Sequence, residues 1–193
     1  MKKILLLATA LFLLMAPFQA SAFDNDRKGF MLNLGLGFGQ GKISASTGGL
    51  SASTDAIGFG TDLKIGAGLN NNKVLIYYTN RVLWYSPEIV VGDTRLDGNL
   101  INGMSAVGVS YFLEPEVPSL FFSGALGIGV HYDSDAEDSL TGFGFTLGIG
   151  FEFARHFIAE LTYMHAGVSF EEDIPGVDPS ISNIMLSVSW LAY

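Results

Sequence analysis

The run Phe30-Met31-Leu32-Asn33-Leu34-Gly35-Leu36-Gly37-Phe38 alternates without a break. Its even positions are all Phe or Leu, and its odd positions are Met, Asn and Gly. A period of two belongs to a β-strand, whose successive side chains leave opposite faces of the sheet. The pattern returns in residues 57–69, where Ile57, Phe59, Leu63, Ile65 and Leu69 oppose Gly58, Gly60, Asp62, Lys64, Gly66 and Gly68. It returns again in residues 74–85, 101–113, 120–132, 141–154, 157–167 and 184–193. Eight strands follow, and no helical period of comparable strength competes with them beyond the N-terminal segment.

The connections alternate in length. Residues 42–56, 86–100 and 168–183 are long, and 133–140 is of middle length; 70–73, 114–119 and 155–156 are short turns. Barrels that cross a membrane have short turns on one side and longer loops on the other. Pro87, Pro115, Pro118, Pro175 and Pro179 all fall in these connections. That is the expectation for a residue without an N–H to give to a strand ladder. The 44–54 stretch, rich in Ser, Ala, Thr and Gly, reads as a mobile loop.

Composition narrows the class. The chain of 193 residues is 49% hydrophobic and only 15% charged, which excludes a disordered polypeptide. It has no cysteine, which excludes disulfide scaffolds, thiolate metal sites and thiol catalysis. Met1-Lys2-Lys3, an apolar core over residues 4–16 and Ala20-Ser21-Ala22 together read as a secretory signal peptide. Residues 1–22 are expected to be removed, leaving residues 23–193 as one barrel domain. The net charge of −9 becomes more acidic once Lys2 and Lys3 are lost, which argues against nucleic acid as a partner.

Register sharpens the expectation. A four-residue turn at 70–73 sets Asp62 opposite Arg81 and Lys64 opposite Thr79 on the glycine face. It also sets Ile65 opposite Tyr78 and Phe59 opposite Trp84 on the apolar face. The turn at 114–119 sets Tyr111 against Phe122 and Val107 against Leu126. A slip of one residue would mix the faces. In the third hairpin Glu152 and Glu160 share the inner face only if a β-bulge falls near residues 155–157.

The apolar face carries no Asp, Glu, Lys or Arg, as a lipid-facing surface demands, because a basic residue at mid-membrane costs about 2–4 kcal/mol. Its aromatics form two girdles. Phe38, Phe59, Trp84, Tyr132, Phe143 and Tyr163 fall toward the long connections; Phe30, Tyr111, Phe122, Phe153, Phe157 and Trp190 fall toward the short turns. A soluble eight-stranded barrel would invert the faces. Asn80 and His165 interrupt the apolar face, and a local bulge would re-aim either one.

On these residues the chain resembles the eight-stranded outer-membrane barrels, the group of the outer-membrane protein A membrane domain and outer-membrane protein X. The most local likeness is Gly148-Ile149-Gly150-Phe151-Glu152-Phe153, a short turn, then Ala159-Glu160-Leu161-Thr162-Tyr163. The resemblance implies an all-β, antiparallel, up-and-down transmembrane barrel. It implies insertion by the barrel-assembly machinery of a bacterial outer membrane, with lipid and lipopolysaccharide as surroundings and a monomeric state. Family members end in an aromatic residue after alternating apolar ones. Here Ile184, Leu186, Val188 and Trp190 alternate, while Tyr193 has the other parity, so either Trp190 carries the signal or the last residues bend. No cell-wall-binding domain is expected after the last strand.

Within an eight-stranded barrel the lumen is just wide enough for side chains to fill. Gly35, Gly37, Gly39, Ala125, Gly127, Gly129, Gly142, Gly144, Gly148 and Gly150 line one half; Asp62, Lys64, Tyr77, Arg81, Leu83, Met104 and Phe112 line the other. Long side chains lying across the glycines are the expectation, a residual passage the alternative. Asp62, Lys64, Arg81, Glu152 and Glu160 form an inward charge set, read as structural. Lipid A-modifying enzymes on such barrels use His with Ser and an acid near the outer rim. His165 has no Ser two residues on, His131 faces Asn102, and His156 lies in a turn, so no catalytic residue is assigned. Residues 133–138 space their carboxylates like the start of a calcium loop but lack its glycine and distal glutamate, and residues 171–173 are a second acidic cluster. No metal or cofactor is assigned. The expected role is a non-enzymatic, structural or adhesion-like surface protein; a narrow conduit for small or apolar solutes and a lipid A-modifying enzyme are the alternatives.

Overall fold

The computed structural model describes residues 26–47, 50–69, 72–86, 88–91, 94–97, 99–133, 138–169 and 178–193. The signal peptide, its cleavage site and most of both acidic clusters lie outside them. The strands are β1 (Gly29–Thr47), β2 (Leu50–Gly68), β3 (Val74–Tyr85), β4 (Glu88–Val91), β5 (Thr94–Asp97), β6 (Leu100–Phe112), β7 (Ser119–Asp133), β8 (Asp138–Ala154), β9 (Phe157–Gly167) and β10 (Asp178–Ala192). Eight of them close into an antiparallel barrel in the order β1-β10-β9-β8-β7-β6-β3-β2. The pair β4 and β5 forms a separate ribbon inside the long connection between β3 and β6.

Closure follows from the alternation. With one face of every strand apolar and the other small or polar, rolling the sheet leaves no strand edge along the barrel wall. The buried positions are inside: Met31, Asn33, Asp62, Lys64, Phe112, Phe121 and Glu160 are all essentially inaccessible. The exposed positions are large and apolar: Leu36 is 60% exposed, Phe38 69%, Leu126 61% and Phe143 70%. This is inside-out relative to a soluble barrel, and hydrocarbon is the solvent that makes it stable.

The hairpin registers come out as the turns require. Asp62 pairs with Arg81, Lys64 with Thr79, Ile65 with Tyr78 and Phe59 with Trp84. Tyr111 pairs with Phe122 and Val107 with Leu126. In the β8–β9 hairpin a register shift falls between Glu152 and Ala154, leaving Phe153 as the extra residue. The bulge therefore lies just before the turn rather than within residues 155–157. Arg155 and His156 make the turn, with His156 at φ 69°. The extra residue keeps Glu152 and Glu160 both buried and lets Phe153 and Phe157 stack outside, 6.3 Å apart.

Three expectations are corrected. The 44–54 stretch is a continuation of β1 and β2, with Ser44 opposite Ser53, Ala45 opposite Ala52 and Ser46 opposite Ser51. The other edge of β1 pairs with β10 as far as Asp178, so three strands satisfy one another's backbone groups above the barrel wall. Low hydrophobicity suggested a loop because it measures side-chain burial, not backbone pairing. Pro179 lies within β10 rather than in a connection. As its second residue it needs no N–H there, and its carbonyl still accepts from the Val168 N–H at 3.1 Å. Finally, no bulge re-aims Asn80 or His165. The β3–β6 and β9–β10 ladders run without a shift, and both residues stay on the outer face. Asn80 Nδ2 donates to Ser105 Oγ at 2.9 Å, and His165 lies between the rings of Phe145 and Tyr163, at 5.9 and 6.5 Å.

Candidate functional site

The lumen is built in tiers. In the middle one, the β2–β3 pairing brings Asp62 and Lys64 beside Arg81, and β9 delivers Glu160 from across the wall. Arg81 Nη2 lies 2.8 Å from Asp62 Oδ2 and 3.3 Å from Glu160 Oε2. Lys64 Nζ lies 3.4 Å from Asp62 Oδ2 and also bonds Glu160. Thr79 donates to Asp62 Oδ1 at 3.2 Å, Ser123 donates to Glu160, and Lys64 Nζ sits 5.2 Å from the centre of the Tyr77 ring. Two acids and two bases thus meet as a closed set. Charges so fully removed from water persist only when paired and hydrogen-bonded in this way.

Glu152 is not part of that quartet. It belongs to a lower tier at the short-turn end, 2.6 Å from Arg27 Nε, with Tyr193 donating its hydroxyl to Oε1 at 2.7 Å. Arg27, 1% exposed, also donates to three turn carbonyls: Asn72 at 3.0 Å, Glu114 at 2.9 Å and Glu116 at 3.3 Å. Its guanidinium lies 4.2 Å from the centre of the Phe112 ring. Beside it, Lys28 and Asn72 hydrogen-bond Asp26 and hold that carboxyl below the usual range. Met31, Leu75, Tyr77, Phe112, Phe121, Ile158, Leu191 and Tyr193 form an apolar partition here.

At the long-connection end the polar group is one histidine and two asparagines. His131 Nδ1 is 2.7 Å from Asn102 Oδ1, and Asn102 Nδ2 donates to Asn183 Oδ1 at 2.7 Å. Met104, Met164, Ile181, Leu83, Tyr85 and Met185 pack in this part of the lumen. No serine joins His131 among the described hydrogen bonds, and among the described residues no three His, Asp or Glu side chains are grouped to hold a metal ion.

The glycine wall receives the long side chains. A Cβ on Gly150 would collide with the Phe121 ring, on Gly41 with the Tyr85 ring, on Gly60 with Met185 Sδ, and on Gly148 with Ser123 and Glu160. The aromatic residues of both sequence girdles lie on the outer face: Phe30, Phe38, Phe59, Trp84, Tyr111, Phe122, Phe143, Phe153, Phe157, Tyr163 and Trp190 are exposed, and Tyr132 is half-buried. Sequence reasoning missed Arg27, which precedes the first strand and carries no periodic signal. The role of Tyr193 was foreshadowed by its parity, which is that of the buried Ser189 and Leu191, so it faces inward without any bend in the last residues.

A closed, up-and-down barrel with buried ion pairs inside and an apolar exterior defines the class of transmembrane β-barrels. The chain belongs to the outer membrane protein beta-barrel domain family, whose model matches residues 8–190. Its place is the bacterial outer membrane. The attachment invasion locus protein Ail of Yersinia pestis, solved with the heparin analogue sucrose octasulfate, aligns with a TM-score of 0.51 and 15% identity, over 84% of this chain and 98% of that one. Neisserial surface protein A aligns at 0.49 and 11% identity, over 83% and 96%. Pseudomonas aeruginosa OprG aligns at 0.48 and 10% identity, over 86% and 98%. No curated protein matches the chain in sequence. The likeness to Ail is one of fold.

Proposed function

We propose that the chain is a non-enzymatic outer-membrane barrel whose filled lumen serves as a rigid scaffold and whose surface-exposed end carries an adhesion-like, surface-interaction role. The observation that carries this reading is the contrast between the two regions. The lumen holds two tiers of buried ion pairs among apolar side chains, whereas β1, β2 and β10 continue past the aromatic girdle as a paired, polar sheet. Residues 23–193 are the mature protein after signal cleavage, inserted by the barrel-assembly machinery as a monomer. The charge set of Asp62, Lys64, Arg81, Glu152 and Glu160 is structural, and the two aromatic girdles mark the lipid interfaces, the upper one facing lipopolysaccharide.

The chemistry of the outer end narrows the partner. Among the long connections the only basic residues are Lys42 and Arg95, against many Asp and Glu. A sulfated polyanion such as the heparin analogue bound to the Yersinia relative does not suit that charge; a cationic or neutral surface does. Expression of the gene in a non-adherent outer-membrane host, scored for attachment to basic and to heparin-coated surfaces, tests this. Attachment to the basic surface only is expected, and equal attachment of the host without the gene would reject the role. Single-channel recording in planar bilayers is expected to show no conductance steps; discrete steps would turn the reading toward a conduit. Unchanged lipid A acylation on deleting the gene is expected, and a changed acyl pattern would make the protein an enzyme.

A further inference from the structure

The barrel has one seam that joins distant parts of the chain, the ladder between β1 and β10, running from Leu32 opposite Ala192 to Ser46 opposite Asp178. Every other contact in the wall is between strands that follow one another in the barrel order along the chain. At the short-turn end of the seam, Arg27 precedes β1 and Tyr193 follows β10. Both reach the same carboxylate, Glu152 at the end of β8, Arg27 through Oε2 and Tyr193 through Oε1. The surroundings are built for this. His156, in the turn after β8, accepts the Leu191 N–H at its carbonyl at 2.8 Å, and its ring lies 4.8 Å from that of Tyr193. The bulge at Phe153 is what keeps Glu152 pointing inward.

We propose that Arg27, Glu152 and Tyr193 form a clasp across the β1–β10 seam, completed only when the seam has paired, which sets how slowly the closed barrel reopens. A hairpin meander can form β2 to β9 from local contacts, but one carboxylate cannot bind both flanks of the seam until the first and last strands meet. An interaction absent from the folding transition state slows unfolding and leaves the folding rate alone. The guanidinium is fully desolvated here, so an unmatched Arg27 or Glu152 is costly and the clasp is strong once made.

The test uses the barrel refolded into lipid vesicles, with folding and urea-driven unfolding rates read from the heat-sensitive electrophoretic mobility of the folded form and from tryptophan fluorescence. Glu152→Gln is expected to unfold on the order of a hundredfold faster, with a folding rate within about twofold of the parent. The double variant R27A/Y193F is expected to be no worse than Glu152→Gln, since both partners act through that carboxylate. Tyr193→Phe removes one hydroxyl, retains the ring packing and folds even if the charge variants do not; a several-fold faster unfolding is expected of it. Lys42→Ala, at an exposed position toward the far end of β1, is the control and should change neither rate. Unfolding of Tyr193→Phe at the parent rate would overturn the clasp. So would a folding rate that falls in step with stability, because the contacts would then form before the seam.

Discussion

At the residue scale, the lumen converts sequence parity into chemistry. Asp62 is buried because its position is even in a strand whose even residues face inward, and it is tolerable only because Arg81 lies directly opposite. Removing one partner strands the other. Asp62→Ala is expected to cost about 3–5 kcal/mol in urea unfolding, whereas replacing both Asp62 and Arg81 by apolar residues of similar volume should cost far less. A double replacement as damaging as the single one would show that Lys64 and Glu160 cannot compensate for their neighbours. Gly150 offers a second check, on shape. A methyl there meets the Phe121 ring, so Gly150→Ala should destabilise by about 1–3 kcal/mol, and Phe121→Leu should recover part of it in a double-mutant cycle.

The element scale shows what the sequence could and could not reveal. Faces and hairpin registers were legible, because a period of two assigns each residue to a side and a short turn fixes its partner. Asp62 opposite Arg81 needed nothing more than the length of the turn at 70–73. The seam was different: Arg27 and Glu152 are far apart in the chain, and nothing local announces their meeting. The extension of β1 and β2 was hidden for another reason, since Ser, Ala and Thr carry little hydrophobic signal even where their backbones pair. The bulge was anticipated from two glutamates of conflicting parity, with its site displaced to Phe153. Deleting Phe153 would remove that correction and turn either Glu152 or Glu160 outward. Loss of the heat-sensitive folded band is the expected outcome, and a deletion variant that folds normally would show that the hairpin absorbs the change elsewhere.

For the whole molecule, the apolar belt makes a quantitative statement about depth. Val188→Arg, in the midst of the belt, should destabilise the barrel in vesicles by about 2–4 kcal/mol. Ser53→Arg, on the same outer side but in the extension of β2, should lie near zero. Equal costs at the two sites would mean that the girdle does not mark the membrane boundary. The tiers have a further consequence, which concerns electrical potential. The middle quartet holds two carboxylates, one guanidinium and one ammonium, and the lower tier holds one of each sign. Each of these two tiers therefore cancels its own charge. A voltage acts on a protein through the net charge it can displace, about 2.3 kcal/mol per elementary charge per 100 mV. Ion-pair tiers that are each neutral give the field nothing to pull on, so these buried charges are built to be indifferent to polarisation of the membrane around them.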